Sequence, residues 1–327
     1  MKIKGSSFLI TGGTGSFGST IVKRLLGEEC AKVRVFSRDE SKHFALQSEL
    51  QDSRVEYQIG DVRDANSLLY ALKDIDYVFH AAALKHVPAS ENNPLEYVKT
   101  NVFGSHNVLN ALANSKVKTA VFLSTDKAVY PVNAMGMTKA LMEKLVRSSS
   151  YPSETTSCIT RYGNVVGSRG SVIPLLISSI KNDRPIRITD WNMTRFVMSL
   201  EDSVDLVLHA MKNGQQGDLF VKKAVAADLL TILKAVETLL SRKANTLDLS
   251  GARPGEKIHE TLLNAEEKTY AEETDSFFRV PSIVLNHQVN LPKIRASSEY
   301  ASNTTSLLTT EELVAYLASD KQIAKLL

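Results

Sequence analysis

A glycine-rich turn at residues 11–18 restricts the fold of this chain more than any other feature of its 327 residues. The turn directly follows an apolar run, directly precedes a helical pattern, and fits both Gly-x-Gly-x-x-Gly and Gly-x-x-Gly-x-x-Gly. Glycine allows a tight turn and close approach of a pyrophosphate, while the N-terminus of the next helix offers N–H groups and the positive end of a dipole. The turn therefore predicts a dinucleotide site within a βαβ unit, formed by Gly12, Thr14, Gly15, Ser16, Phe17 and Gly18.

The first half of the chain alternates short β-rich runs with helical stretches. The runs lie at residues 7–10, 33–36, 55–59, 76–79 and 119–123, and helices are predicted at 17–26 and 41–50. Strands that alternate with crossover helices form a doubly wound parallel sheet, so we expect an α/β protein of the Rossmann type. Residues 1–170 should form the cofactor domain, with later segments returning to it. Residues 171–327 should form mainly a smaller, interleaved substrate domain and a C-terminal extension, although residues 264–305 are too weakly periodic for an assignment.

Composition narrows the possible partners. The formal net charge is only +3 and no basic stripe is present, so we expect no nucleic acid partner. No apolar run approaches the roughly 18 residues of a membrane span. A strand begins within a few residues of Met1, so we expect no removable signal peptide. Cys30 and Cys158 lack metal-ligand spacing; no metal is expected, and both are predicted to be small buried residues of a reduced, cytoplasmic protein.

Two strand ends bear on the choice of cofactor. After the second run, Ser37 and Arg38 place a hydroxyl and a guanidinium where an NAD site usually has a carboxylate, which favours the 2′-phosphate of NADP over NAD. Asp39 remains an alternative partner for a ribose hydroxyl. Asp61 and Val62 follow the third run, where a carboxylate can reach the adenine amino group, but Asp61 could equally be a helix-entry residue.

The stretch around Asp126 has the layout of an active site. It places Asp126 and Lys127 at a strand end and Lys139 on the following helix, which Asn133 is predicted to begin as its N-cap. Met135 stands four residues before Lys139, at a position where a dinucleotide-dependent reductase with this layout would normally have a tyrosine. A thioether cannot accept a proton, and loss of a positioned base typically costs about 10²- to 10⁴-fold in rate.

The chain resembles an extended short-chain dehydrogenase/reductase from residue 1 to about residue 263. The resemblance rests on the glycine turn and on residues that it implies to surround the cofactor: Asp61, Ala81, Ala82, Ala83, Asn101 and Lys139. Residues 124–127, 161–165 and 253–257 resemble a narrower group, the inverting UDP-N-acetylglucosamine 4,6-dehydratases of bacterial surface-sugar pathways. The methionine variant is most similar to the capsule-pathway members, which serve N-acetyl-L-fucosamine synthesis. The resemblance also implies a homo-oligomer, possibly a hexamer.

The reaction that the resemblance implies changes UDP-N-acetylglucosamine without net oxidation. Hydride leaves C4 of the hexose for NADP+, and the resulting ketone acidifies the proton on C5. A base removes that proton while an acid protonates the leaving hydroxyl at C6. Hydride then returns to C6 and a proton to the opposite face of C5, which gives UDP-2-acetamido-2,6-dideoxy-β-L-arabino-hexos-4-ulose.

Asp126 and Lys127 are the implied acid and base. Retaining enzymes have Asp-Glu at these positions, so Lys127 indicates inversion. To act as a base at neutral pH, Lys127 needs a pKa well below the usual value of about 10.4, through burial or a nearby cation such as Lys139. Asp126 must be held protonated or be recharged during turnover. A buried Asp–Lys ion pair without a catalytic role is the alternative.

The missing tyrosine leaves the proton acceptor at C4 open. Lys139 keeps its implied contact with the nicotinamide ribose, and the candidate acceptors are Thr125, Lys127, a water held by Lys139, and Tyr130. One alternative is a degenerate centre in a non-catalytic NADP-binding regulator. Another is a UDP-sugar 4-epimerase or simple sugar-nucleotide oxidoreductase, which should not need the Asp126–Lys127 pair and would normally keep the tyrosine.

The remaining polar residues divide into implied substrate contacts and architecture. Contacts with the sugar nucleotide are implied for Lys85, Asn164, Arg195, Arg253, Glu256 and His259. Guanidinium groups suit a diphosphate because they bind it bidentately, although the turn at Arg253 is also a common structural element. Local packing or hydrogen bonding is expected of His80, His86 and His209, and helix capping of Ser199 and Thr309.

Overall fold

The structure of the protein is a computed structural model that describes residues 2–148, 151, 153–168, 170–249, 251, 255–282 and 298–327. In its first half, a π-helical turn at Val98–Phe103 joins two helices, and a 3-10 turn at Asp126–Ala128 follows the fifth strand. The elements are β1 Ser7–Thr11, α1 Ser16–Gly27, β2 Lys32–Ser37, α2 Glu40–Leu50, β3 Val55–Ile59, α3 Ala65–Ala71, β4 Tyr77–His80, α4 Val87–Asn92, α5 Pro94–Tyr97, α6 Gly104–Ala113, β5 Thr119–Thr125, α7 Ala134–Val146 and β6 Thr156–Tyr162.

The second half has shorter strands and includes two short C-terminal helices. Its elements are α8 Val172–Lys181, β7 Ile186–Ile188, β8 Thr194–Val197, α9 Leu200–Asn213, β9 Leu219–Lys222, β10 Val225–Asp228, α10 Leu229–Leu240, β11 Leu247–Leu249, β12 Thr261–Leu263, α11 Ala265–Tyr270, β13 Glu272–Glu273, β14 Phe277–Val280, β15 Tyr300–Ala301, α12 Thr310–Ser319 and α13 Lys321–Ala324. The unassigned stretch 264–305 therefore contains α11 and three short strands in its described parts.

The predicted Rossmann fold is confirmed. A nine-stranded sheet has the order β13-β14-β9-β6-β5-β4-β1-β2-β3. The seven strands from β9 to β3 in this order are parallel to one another. The antiparallel strands β14 and β13 extend the edge beyond β9. Strands from the second half of the chain thus complete the sheet that the first half begins. The other pairs, β8 with β10, β7 with β11 and β12 with β15, lie outside it.

Helices cover both faces of this sheet. One face packs against α1 and α9 through residues such as Ile21 and Val204, and the other packs against α3, α6 and α7 through residues such as Leu68 and Leu109. A third cluster joins α8, α10 and α12. Each such fully buried side chain contributes about 1.5–3 kcal/mol of hydrophobic stabilisation. Two buried faces explain why the parallel strands sit in the interior.

All five predicted strands are confirmed to within two residues, and both predicted helices to within one. The sequence prediction missed β6, because the threonines, serine and arginine in Thr156–Tyr162 interrupt its apolar pattern. Ser157, Thr160 and Arg161 are nevertheless buried, since both faces of the strand are covered. The N-caps Asn133, Ser199 and Thr309 are confirmed, the last two as reciprocal capping boxes. Among the described residues, no helix is long and apolar enough to cross a membrane.

Candidate active site

The glycine turn between β1 and α1 has the geometry that a dinucleotide requires. Gly12 has φ +69°, and a Cβ there would lie 2.8 Å from the backbone nitrogen of Ala82. A Cβ on Gly18 would lie 2.5 Å from Cα of Gly13. Gly15 is the N-cap of α1 and places no side chain at the start of the helix. The turn therefore keeps the N-terminus of α1 open to an anionic group, as the predicted pyrophosphate site needs.

The end of β2 places Arg38 beside Asp61. The Arg38 guanidinium is half exposed and lies 3.5 Å from the Asp61 carboxylate, which also binds Arg63 at 2.6 Å. Asp39 caps α2 by accepting a hydrogen bond from the Lys42 amide at 3.0 Å. Its carboxylate is thus engaged in helix capping, which weakens the alternative in which Asp39 binds a ribose hydroxyl.

Two neighbouring positions refine that picture. Asp64, not Asp61, caps α3, so the helix-entry alternative for Asp61 is wrong. The Ser37 hydroxyl lies 3.0 Å from that of Thr14 and 2.9 Å from Nε2 of His43. Ser37 and Thr14 therefore link the end of β2 to the glycine turn. Val62 is buried in the core rather than open at the strand end.

Asn101 supports the loop that follows β4. It lies buried in the π-helical turn, where its side chain bonds the backbone of Leu84 at 2.9 and 3.0 Å and the Thr138 hydroxyl at 3.1 Å. Ala81 and Ala82 donate backbone hydrogen bonds to Thr11 at the end of β1. Asn101 thus fixes the loop that contains Ala81–Ala83 and Lys85. These four residues are partly or fully exposed to solvent.

Asp126 lies at the centre of the candidate active site. Its carboxylate is buried, and Oδ1 accepts hydrogen bonds from the Thr125 hydroxyl at 2.8 Å and from Nζ of Lys127 at 3.1 Å. Oδ2 is buried without a hydrogen-bond partner in the described part of the chain. The sheet therefore brings together the predicted acid and base at the carboxyl end of β5, where ligands bind in folds of this kind.

A second carboxylate closes the centre, and the sequence analysis did not identify it. Oε1 of Glu260 lies 3.0 Å from Nζ of Lys127, and the Glu260 side chain is only 3% exposed. Lys257 lies 3.9 Å from the other oxygen of Glu260 and donates to the carbonyl of Val129. A single ammonium is thus shared by Asp126 and Glu260. The sequence analysis identified the neighbouring residues 253–257 and His259, but no local pattern shows that residue 260 reaches β5.

The pKa directions separate the two predicted catalytic groups. Burial raises the pKa of Asp126, and the nearby Glu260 adds to the effect although Lys127 opposes it. This agrees with an acid that holds its proton. Burial alone would lower the pKa of Lys127, but the carboxylates of Asp126 and Glu260 outweigh burial and raise it. The expectation of a lowered Lys127 pKa is therefore wrong for this arrangement, and the opposing cation is Arg195 rather than Lys139.

Lys139 lies beneath the site. Its ammonium is buried and donates to the carbonyl of Leu123 at 2.5 Å, with the sulfur of Met142 at 3.1 Å. Burial lowers the pKa of Lys139 to about 8, against the opposing charge of Glu143. Met135 is buried one turn earlier on α7, so a thioether occupies the place expected for tyrosine.

The candidate proton acceptors differ in their surroundings. The Thr125 hydroxyl donates to Asp126, so its proton is already directed to that carboxylate. Tyr130 is half exposed and has φ +45°, an uncommon backbone conformation for a bulky residue. Such strain is found preferentially at functional sites, although it does not by itself select Tyr130 as the acceptor.

Two of the implied substrate residues, Arg195 and His259, connect β8 with the segment 255–260. Arg195 on β8 donates to the carbonyls of Thr194 at 2.8 Å and Ile258 at 3.1 Å, and Nδ1 of His259 lies 2.8 Å from the Thr194 hydroxyl. These contacts tie β8 to the segment. Oδ1 of Asn164 is buried without a partner among the described residues, while Glu256 is half-buried. Arg253 lies outside the described residues.

His80, His209 and both cysteines have the expected packing roles, whereas His86 is exposed. His80 is buried between the hydroxyls of Thr11 at 2.8 Å and Ser105 at 3.0 Å, and burial lowers its pKa to about 3. His209 stacks on Phe277 at 4.2 Å between ring centroids. Cys30 and Cys158 are buried thiols. Across the described residues, no group of three or more potential ligands is placed to hold a metal ion.

The fold and the polar groups at its carboxyl edge define a Rossmann-type enzyme of the short-chain dehydrogenase/reductase kind. A family model described as "Polysaccharide biosynthesis protein" matches residues 8–282. A curated relative from Rickettsia bellii (strain OSU 85-389), named UDP-glucose 4-epimerase, is 46% identical over 320 residues, which cover 94% of each chain. The chain belongs to the polysaccharide biosynthesis protein family and has the fold of its sugar-nucleotide dehydratases and epimerases.

Two solved structures place the chain within that fold. Pen from Bacillus thuringiensis superposes with a TM-score of 0.91 at 38% identity and covers 100% of both chains. UDP-N-acetylglucosamine 4-epimerase from Methanobrevibacter ruminantium M1, in complex with UDP-N-acetylmuramic acid, gives 0.69 at 26% identity and covers 77% of this chain and 87% of its own. The similarity to Pen thus extends over the whole chain, whereas the second comparison covers about three quarters of it.

Proposed function

We propose that the protein is a UDP-N-acetylglucosamine 4,6-dehydratase that inverts C5 and depends on NADP. The observation that supports this function best is the acid–base pair of the buried Asp126 and the partly buried Lys127 at the mouth of the sheet. Dehydration needs an acid for the C6 hydroxyl and a base for the C5 proton at adjacent positions. A reaction confined to C4 has no use for such a pair. The product would feed bacterial capsule or O-antigen sugar synthesis of the N-acetyl-L-fucosamine type in the cytoplasm.

The glycine turn fits the proposed cofactor. Gly12 and Gly18 leave room that a Cβ would fill, and Gly15 keeps side chains away from the N-terminus of α1. Arg38 and Ser37 would face the 2′-phosphate, and Lys139 the nicotinamide ribose. When bound, NADP supplies the hydride acceptor at C4 and the hydride donor at C6. The protein's own task is to position the sugar and to move protons at C4, C5 and C6.

Asp126 is the proposed acid for the leaving hydroxyl. Its burial raises its pKa, which favours the protonated form that a general acid needs. Thr125 fixes the orientation of the group through its hydrogen bond to Oδ1, while Oδ2 remains without a partner in the described chain. Arg195, with Arg253, Asn164, Lys85, Glu256 and His259, is proposed to hold the diphosphate and the sugar. Lys127 is the proposed base at C5.

A UDP-glucose 4-epimerase is the second candidate, because the Rickettsia bellii relative with that name is 46% identical to this chain. The two candidates predict different products from different sugars. The Asp126–Lys127 pair argues against the epimerase, which acts only at C4, whereas Met135 leaves both enzymes without the usual proton acceptor at C4. A non-catalytic NADP-binding regulator is the third possibility, and it predicts cofactor binding without any change in the sugar.

One NMR experiment separates the three candidates. The protein, loaded with NADP, is incubated in deuterated water with UDP-N-acetylglucosamine or, separately, with UDP-glucose, and no reductant is added. The dehydratase gives a 4-keto-6-deoxy sugar with deuterium at C5 and inverted coupling. A 4-epimerase gives UDP-galactose or UDP-N-acetylgalactosamine without deuterium at C5. Unchanged sugars with bound NADP would favour the regulator.

A further inference from the structure

Three ionisable groups meet at one position, although an ion pair needs only two, and the Lys127 side chain between the two carboxylates is 22% exposed. Nζ of Lys127 lies 3.1 Å from Oδ1 of Asp126 and 3.0 Å from Oε1 of Glu260. The side chains of Asp126 and Glu260 are 1% and 3% exposed. Their second oxygens, Oδ2 and Oε2, are buried without hydrogen-bond partners among the described residues. Two incompletely satisfied carboxylates are costly, which indicates a role beyond stability.

The surroundings of Glu260 fix its place beside Lys127. Its backbone amide donates to the Ser302 hydroxyl at 2.9 Å, next to β15. The charged groups that face its carboxylate are Lys127 and Asp126 from the end of β5, Arg195 from β8 and Lys257 from its own segment. Burial alone would raise the pKa of Glu260, but the three cations outweigh burial and lower it. Among the residues that the structure describes, only Lys127 is within hydrogen-bond distance of the carboxylate. Glu260 therefore acts on the centre through Lys127.

We propose that Glu260 is the positioning residue that takes a proton from Lys127 and so creates the neutral amine that acts on C5. The inference rests on the proposed dehydratase function. The Nζ–H bond of Lys127 breaks and an Oε1–H bond forms on Glu260. The amine lone pair then takes the C5 proton of the 4-keto sugar, and the carbon's electrons form the C5–C6 double bond. Asp126 gives its proton to the C6 hydroxyl, which leaves as water.

This transfer resolves the conflict over the protonation of Lys127. The pKa of Lys127 is raised and that of Glu260 is lowered, because each charge stabilises the other. Before substrate binds, the two groups are therefore an ammonium and a carboxylate, and Lys127 cannot serve as a base. With Asp126 protonated, transfer to Glu260 leaves three neutral groups. A bound sugar excludes water from the centre, and a low-dielectric site favours neutral groups over an ion pair that has lost its hydration.

The first test measures Lys127 without any turnover. NADP-loaded protein with isotope-labelled lysine is titrated by NMR, with Lys127→Arg used to assign the Lys127 signal. Removal of the Glu260 charge in Glu260→Gln should lower the proton affinity of Lys127 about tenfold or more, because a carboxylate at contact distance stabilises the ammonium. An unmoved titration would overturn the inference.

The second test follows C5 exchange in the 4-keto product, which wild-type enzyme makes from UDP-N-acetylglucosamine. In deuterated water, wild-type exchange should stay nearly level between about pH 6 and 9, since the proton moves within the centre. In Glu260→Gln it should fall about 10²-fold near pH 7 and rise about tenfold for each pH unit, because Lys127 must lose its proton to solvent. A uniform loss at every pH would indicate a merely structural role and contradict the proposal.

A control variant and the joint outcomes separate the two proposals. Glu267→Gln removes a carboxylate that pairs with Arg161 at 2.8 Å, and it should leave the pH profile of C5 exchange level. If wild type forms the product but the Lys127 titration is unmoved in Glu260→Gln, the Glu260 inference fails alone. If wild type forms no 4-keto product, the dehydratase function fails, and the role of Glu260 at C5 fails with it.

Discussion

The glycine turn follows β1 and the Asp126 centre follows β5, so both lie at the carboxyl edge of one parallel sheet. The turn is contiguous in sequence, and its constraint is steric and local: Gly12 has a positive φ and no space for a Cβ. The Asp126 centre instead needs Glu260, which arrives from a segment just before β12. A contiguous site can be recognised from its own residues, whereas a site completed by a distant segment is recognised only in part.

The largest expected effect concerns the Asp126 centre, the site that a distant segment completes. Asp126→Asn keeps the shape of the side chain but cannot hold an acidic proton beside Lys127. We expect product formation from UDP-N-acetylglucosamine to fall by about 10²- to 10⁴-fold, the range for loss of a general acid. The rate of 4-keto sugar formation measures it. Asp248→Asn, on exposed β11, should leave the rate unchanged, and a near-normal rate in Asp126→Asn would remove that residue from its assigned role.

The sequence predicted the cofactor half more completely than the reacting half. The glycine turn, the strands through β5 and the caps at Asn133 and Ser199 follow from local patterns and are confirmed. Asp126 and Lys127 could be placed because they directly follow a predictable strand. Their protonation could not, because it depends on the burial and charge of Glu260, which only the tertiary fold brings to Lys127. The same dependence on tertiary contacts hid β6, whose polar residues are buried by neighbouring layers.

The buried ammonium of Lys139 should lower the stability of the folded protein by a measurable amount. Its pKa falls from 10.5 to about 8 on folding, so the buried ammonium costs roughly 3 kcal/mol below pH 8. Lys139→Met removes this cost but loses a hydrogen bond to Leu123 worth about 1 kcal/mol. We expect the variant to be more stable by about 2 kcal/mol at pH 7, as measured by urea unfolding.

The pH dependence of this stability difference tests whether folding lowers the pKa of Lys139. Between pH 8 and 10.5 the unfolded chain holds the Lys139 proton that the folded protein has released, so wild-type stability rises relative to Lys139→Met as pH increases. The advantage of the variant should therefore disappear near pH 10. Lys144→Met, on the exposed side of the same helix, should show no such trend. A pH-independent difference at Lys139 would contradict the lowered pKa.

A smaller effect on cofactor binding tests the glycine turn, the site whose residues are contiguous in sequence. Gly12→Ala forces a side chain into φ +69° and against the backbone of Ala82, at a cost of about 1–2 kcal/mol for the backbone conformation alone. The Kd for NADP should rise about tenfold or more, measured by fluorescence titration. Gly27→Ala is the matched control, since a Cβ there meets nothing within 4 Å. Equal cofactor affinity in both variants would show that the turn tolerates a side chain.

The smallest expected effect concerns the choice between NADP and NAD. Arg38 is 48% exposed and lies 3.5 Å from Asp61, so solvent and salt screen its charge. Arg38→Ala should weaken NADP binding by about tenfold, less than a buried charged contact would give, and should leave the Kd for NAD nearly unchanged. The ratio of the two Kd values should also fall in wild type as salt increases. If Arg38→Ala weakens the binding of both cofactors equally, the guanidinium does not recognise the 2′-phosphate. The end of β2 would then resemble the Asp126 centre, since at both places the sequence identifies the polar groups but not what they bind.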